Sequence, residues 1–110
     1  HNEDGIKQVL EQVEVTDHDE LHVILGMVKD KETDTVLKLF PKTAHYYFTQ
    51  AQIPRALSTD TLQNKAAAFG LSGKGYPNVN KALNEAKLNA GQKDMILVCG
   101  SVFLVAEVNF

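Results

Sequence analysis

Met95-Ile96-Leu97-Val98-Cys99-Gly100-Ser101, followed by Val102-Phe103-Leu104-Val105-Ala106, is the stretch on which the fold turns. Five consecutive apolar residues with no polar alternation suit a strand covered on both faces, as in a parallel sheet. Gly100 then frees the backbone to turn, and the apolar run after Ser101 reads as a helix. A serine at a strand-to-helix turn can cap the helix and present its hydroxyl beside unpaired backbone N–H groups, where a carboxylate is favoured. Ser101 is therefore the first candidate site residue. Taken alone, Gly100-Ser101 reads more simply as a turn with a cap, so the rest of the chain has to decide.

Working outward, Val79, Ala82, Leu83, Ala86 and Ala90 recur at helical spacing up to Gly91, and Gly73 to Tyr76 leave room for only a short strand. Before it, Ser58 or Thr59 caps a helix through Leu62, Ala66 and Phe69 that Gly70 ends. His45-Tyr46-Tyr47-Phe48-Thr49 is an aromatic strand, and the loop after it carries Pro54 and Arg55. Val36, Leu37 and Phe40 mark a short helix that Pro41 stops. Leu21-His22-Val23-Ile24-Leu25-Gly26 is a mostly apolar strand whose carboxyl end runs into the polar loop Met27 to Lys31. Ile6, Val9, Leu10 and Val13 form the apolar stripe of a first helix, with Asn2 or Asp4 as its cap.

Strands alternating with amphipathic helices imply right-handed parallel crossovers. The expectation is an α/β, Rossmann-like domain over residues 1–110, with a mostly parallel sheet and helices on both faces. A helical pattern begins almost at once after His1, so the first strand is expected to be missing from this stretch. In such a sheet all strand-to-helix loops emerge on one edge, and ligands bind there. That edge gathers His1, Asn2, Asp30, Lys31, Arg55, Asn78, Gly100 and Ser101.

Composition narrows the function classes. The 110 residues are 44% hydrophobic with a net charge of −3 and acids and bases interspersed. That balance argues against nucleic-acid or polybasic membrane partners. One cysteine, Cys99, allows no disulfide within the chain and fits a reducing cytoplasm. No apolar run approaches the roughly 18 residues of a membrane span.

Several familiar motifs are incomplete in this sequence. No strand is followed by Gly-x-Gly-x-x-Gly, since Met27 and Val28 succeed Gly26, so a dinucleotide is not expected. Gly70-Leu71-Ser72-Gly73-Lys74-Gly75 has too few residues before Gly73-Lys74 for a phosphate loop, and Gly75 replaces the magnesium-binding hydroxyl. His18-Asp19-Glu20-Leu21-His22 has the histidine spacing of a zinc helix but runs into a strand, so no metal site is expected. The central aromatic strand ends in Thr49 rather than the aspartate of a phospho-receiver.

Taken together, His1-Asn2-x-x-Gly5-Ile6, Asp30-Lys31-Glu32, Pro54-Arg55-Ala56 and Gly100-Ser101-x-Phe103-x-Val105-x-Glu107-Val108 resemble the folylpolyglutamate synthase and dihydrofolate synthase family of the Mur-ligase superfamily. The resemblance covers the whole chain as the carboxy-terminal domain. It implies an ATP-dependent amide ligase that adds L-glutamate to dihydropteroate or reduced folate through an acyl phosphate. ATP and Mg2+ would be bound mainly by the enzyme's own N-terminal ATPase domain, over which this domain closes, and the stretch alone would be inactive. By the same resemblance His1 and Ser101 hold the incoming glutamate. Asn2, Asp30, Lys31 and Arg55 are candidates for nucleotide, acyl-phosphate or interdomain contacts. No complete catalytic set lies within these residues. Two other readings remain open at this point: the matching domain of a cell-wall UDP-muramyl amino-acid ligase, and a non-catalytic α/β interaction domain.

Overall fold

The computed structural model describes residues 3–109. Four strands, β1 (Leu21–Leu25), β2 (His45–Phe48), β3 (Gly73–Gly75) and β4 (Met95–Cys99), form one sheet in the order β3-β2-β1-β4. Every ladder is parallel, as connections through helices require. The helices are α1 (Glu3–Val15), α2 (Thr33–Leu37), α3 (Thr59–Ala68), α4 (Val79–Asn89) and α5 (Val102–Ala106).

Alternation along the strands sorts the core into two layers. Val23 and Leu25 of β1 and Tyr46 and Phe48 of β2 pack with Ile6 and Val13 of α1, Val36 and Leu37 of α2, and Leu62 and Ala66 of α3. Ile24 and Tyr47 face the other way, against Val79, Ala82, Leu83 and Ala86 of α4 and Leu104 of α5. Helices thus cover both faces, as the pattern of the sequence predicts. Caps fall where hydroxyl and amide side chains allow: Ser58 Oγ accepts from Thr61 N at the start of α3, and Asn78 Oδ1 from Lys81 N at the start of α4. Among the described residues no helix is long and apolar enough to cross a membrane.

Two expectations are corrected. The second helix ends at Leu37, and Phe40 belongs to the turn that follows; Phe40 is buried all the same, because Leu39 N and Phe40 N bond back three residues and keep its ring in the core. The second correction concerns β4, whose residues Met95 to Val98 are only half-buried, whereas all five residues of β1 are buried. Both strands are largely apolar, but β1 lies between two neighbours and β4 has one among the described residues. Cys99, at the inner end of β4, is 3% exposed.

Candidate functional site

The strand order contains one reversal. From β1 the chain steps to β2 and β3 on one side, while β4 lies on the other side of β1. α2, after β1, covers one face; α5, after β4, covers the opposite face. The carboxyl ends of β1 and β4 therefore border a topological switch point, the place where open α/β sheets bind ligands. Gly26 and Gly100-Ser101 occupy it.

Close backbone approach builds this corner. Gly100 has φ +110°, and a Cβ there would lie 2.3 Å from the Gly26 carbonyl oxygen. A Cβ on Gly26 would meet Leu104 Cδ2 at 2.9 Å and the Thr49 carbonyl oxygen at 3.1 Å. Glycine suits both positions for that reason. Ser101 is the extended N-cap of α5, and its Oγ accepts from Phe103 N at 3.2 Å. Accepting that bond leaves the hydroxyl proton free to donate. Ser101 is only 4% exposed, so capping draws its side chain into the fold rather than displaying it on the turn.

The adjacent loops are joined to each other. Val28 and Ala56 form an antiparallel bridge, Lys29 N donates to the Arg55 carbonyl at 2.9 Å, and Leu57 N donates to the Met27 carbonyl at 2.8 Å. The β1–α2 and β2–α3 loops thus act as one unit, which brings Arg55 beside Lys29, the chain neighbour of Asp30. Arg55, Lys29 and Lys31 are exposed and form no ion pair among the described residues. Asp30 shapes the entry to α2, since its Oδ1 accepts from Glu32 N at 3.1 Å and its carbonyl from Thr33 Oγ1 at 3.1 Å. Asn78, expected on this edge, is there as the cap of α4. His1 and Asn2 lie outside the described residues. In the sequence Lys29 is only part of a polar loop; its pairing with Arg55 rests on backbone bonds between segments 26 residues apart, which leave no periodic trace.

The titratable cluster of the fold lies at the other end of the strands. His22, 3% exposed, places Nδ1 2.8 Å from Tyr47 Oη and Nε2 2.9 Å from Asp94 Oδ2. Asn89 Nδ2 donates to Tyr47 Oη at 3.2 Å. The tautomer that completes this chain has the Tyr47 hydroxyl donating to Nδ1 and Nε2–H donating to Asp94. Asp94 also accepts from Gly91 N at 2.9 Å and Glu20 N at 3.0 Å. The Gly91 N–H, the His22 ring and the Glu20 N–H together lower the Asp94 pKa to about 2. The His45 ring stacks on His22 with centroids 4.8 Å apart. In the sequence His22 stands in a mostly apolar strand and in a rejected zinc spacing, and its partner Asp94 lies 72 residues away. A cavity of about 390 Å³ opens at this same amino end, lined by residues including Leu10, His18 and Glu20; it contains none of the residues at the switch point.

Nearly the whole length of the chain has counterparts among known proteins. Residues 1–102 match the family described as Mur ligase, glutamate ligase domain. A probable bifunctional folylpolyglutamate synthase/dihydropteroate synthase of Haloferax volcanii is 30% identical over 108 residues, covering 97% of this chain and 13% of that protein. The structure of E. coli FolC in complex with DHPP and ADP superposes with a TM-score of 0.84 at 23% identity, over 96% of this chain and 25% of that one. A bifunctional folylpolyglutamate synthase/dihydrofolate synthase with Mn, AMPPNP and L-glutamate bound gives 0.81 at 22% identity, with the same coverage. These structural likenesses show the shared fold. The chain spans about an eighth of the length of the Haloferax relative, by the 13% it covers.

Proposed function

The chain belongs to the Mur ligase glutamate ligase domain family, and from that premise we propose that residues 1–110 form the carboxy-terminal, glutamate-handling domain of a cytoplasmic ATP-dependent ligase of the folylpolyglutamate synthase/dihydrofolate synthase type. The observation that carries the reading is the Ser101 hydroxyl at the switch point, with its proton free to donate while Phe103 N–H occupies one lone pair. A nearly dry hydroxyl donates to a carboxylate without competition from water. In this reading Ser101 and His1 hold L-glutamate. Asn2, Asp30, Lys31 and Arg55 are assigned contacts to the nucleotide, the acyl phosphate or the N-terminal ATPase domain as this domain closes over it.

The chemistry has two steps. ATP phosphorylates the pteroate or folate carboxylate, giving ADP and an acyl phosphate; the glutamate amine then attacks the acyl carbon, phosphate leaves, and the amine proton is lost. Among the described residues no three His, Cys, Asp or Glu side chains gather to hold a metal. Mg2+ and the phosphate loop are assigned to the ATPase domain. What this chain supplies is orientation of the amine, exclusion of water, and positive charge beside the leaving phosphate.

The test is ATP-dependent phosphate release by the full-length polypeptide with L-glutamate, offering dihydropteroate, tetrahydrofolate or a UDP-muramyl acceptor separately. Release with either pterin is expected, with a raised KM for glutamate in Ser101→Ala. Release only with the muramyl acceptor would move the protein to the cell-wall branch. No release from a folded, ATP-binding protein would overturn the ligase reading in favour of an interaction domain.

A further inference from the structure

α5 is short, and both of its ends are engaged. Its N-cap is Ser101 and its C-cap is Glu107. A carboxylate at a helix C-terminus opposes the helix dipole, so local preference does not explain Glu107. Its contacts do. Glu107 Oε2 accepts from the backbone N–H of Gln52 at 2.8 Å, 55 residues earlier, in the loop that carries Arg55. The Glu107 carbonyl accepts from Asn80 Nδ2 at 2.9 Å, and Asn80 Oδ1 accepts from Asn109 N at 2.8 Å, which fastens this end of α5 to α4.

The loop is held on both sides of its tip. Gln52 Nε2 donates to the Gln50 and Pro77 carbonyls at 3.1 and 3.0 Å. Ala56 N donates to the Ile53 carbonyl at 3.1 Å, closing the turn that presents Pro54-Arg55. Beyond the tip, the Arg55 carbonyl accepts from Lys29 N. Glu107 thus fixes the approach to the turn, and the β1–α2 loop fixes its exit. Midway along α5, Leu104 is fully buried over Gly26. α5 is therefore a strut with Ser101 at one end and the Arg55 loop at the other.

We infer that Glu107 is a positioning residue, which sets the place of the Arg55 guanidinium relative to Ser101 through the backbone of residues 52–55. The inference rests on the proposed ligase reading, with Arg55 taken to contact the nucleotide or the acyl phosphate. Gln52 is exposed, so water would satisfy its N–H if Glu107 were absent; what Glu107 adds is a charge-assisted bond of fixed geometry. A displacement of an ångström at such a group is enough to slow a reaction substantially.

The test uses the full-length polypeptide and compares Arg55→Ala, Glu107→Ala, Glu107→Gln and the double variant Arg55→Ala/Glu107→Ala. Thermal unfolding is recorded for each, and kcat/KM is measured for L-glutamate. Arg55→Ala is expected to lower kcat/KM by about a hundredfold and Glu107→Ala by about tenfold. Glu107→Gln, whose amide oxygen accepts the same N–H, recovers to within about threefold of the parent. The double variant is no slower than Arg55→Ala, because the second substitution acts only through the first. A folded Glu107→Ala at the parental rate overturns the inference, as does a double variant whose losses multiply. So does an Arg55→Ala protein of parental rate, although a raised glutamate KM in Ser101→Ala would then leave the ligase reading standing. Absence of ligation by the parent would sink that reading itself.

Discussion

The two ends of the same four strands are built on opposite plans. At the amino end, side chains make the structure: His22, Tyr47, Asn89 and Asp94 bond to one another, and Asp94 gathers two backbone N–H groups as well. At the carboxyl end, the backbone makes the structure. Two glycines touch, two loops bridge through main-chain bonds, and the charged side chains of Arg55, Lys29 and Lys31 extend outward. The two ends lie about 13 Å apart, from His22 to Gly26 at roughly 3.3 Å per residue. A protein that binds at one edge of its sheet gains from this division, since groups spent on holding the fold are not available to a ligand.

The contrast can be broken most severely at its backbone joint. Gly100→Ala forces a Cβ to 2.3 Å from a carbonyl oxygen at a φ of +110°. The expected cost is about 3 kcal/mol or more, read from urea unfolding. At the amino end, His22→Leu takes the acceptor from the Tyr47 hydroxyl proton and the ring donor from Asp94 Oδ2, which keeps the Gly91 N–H. It should cost about 2 kcal/mol, yet leave ligation by the remaining folded full-length protein at the parental rate. A drop in kcat for that variant would show that the two ends are not independent.

Acid acts on the amino end through Asp94. The Asp94 carboxyl is held at about 2, below its ordinary 3.8. A depressed folded-state pKa contributes stability that is complete above the unfolded value and disappears as pH falls through the folded one. Stability should therefore decline between about pH 4 and pH 2, and Asp94→Asn should flatten that decline in thermal scans at stepped pH. The smallest effect on stability belongs to the carboxyl end: Arg55→Ala should shift unfolding by less than about 0.5 kcal/mol while lowering ligation. If it unfolds the protein instead, the side chain helps to hold the fold and the contrast fails at that residue.

Local signals are sufficient for most of the fold. The cap Ser58, the apolar stripes of α1, α3 and α4, and the apolar runs of β1 and β4 each carry their instruction within one or two turns of chain. Legibility ends where partners are distant. The tie of His22 to Asp94, the joining of Lys29 to Arg55 and the reach of Glu107 to Gln52 span 72, 26 and 55 residues. Apolar continuity identifies β4 as a strand but overstates its cover among the described residues, where it has a single neighbour in the sheet. At the switch point Gly100-Ser101 falls on the expected edge. Nothing in the local sequence reveals that capping α5 draws the serine almost out of reach of solvent.

Cys99 closes the inner end of β4 at 3% exposure, and burial pushes its thiol up to about 12. At neutral pH it is thus both hidden and protonated, and a thiol reagent can react only after β4 has parted from its surroundings. As the sole sulfhydryl of these 110 residues, it turns the rate of alkylation into a clock for how often this strand lets go. Urea hastens that clock according to how much surface each opening exposes, so one chemical label distinguishes a local opening of β4 from the unravelling of the whole.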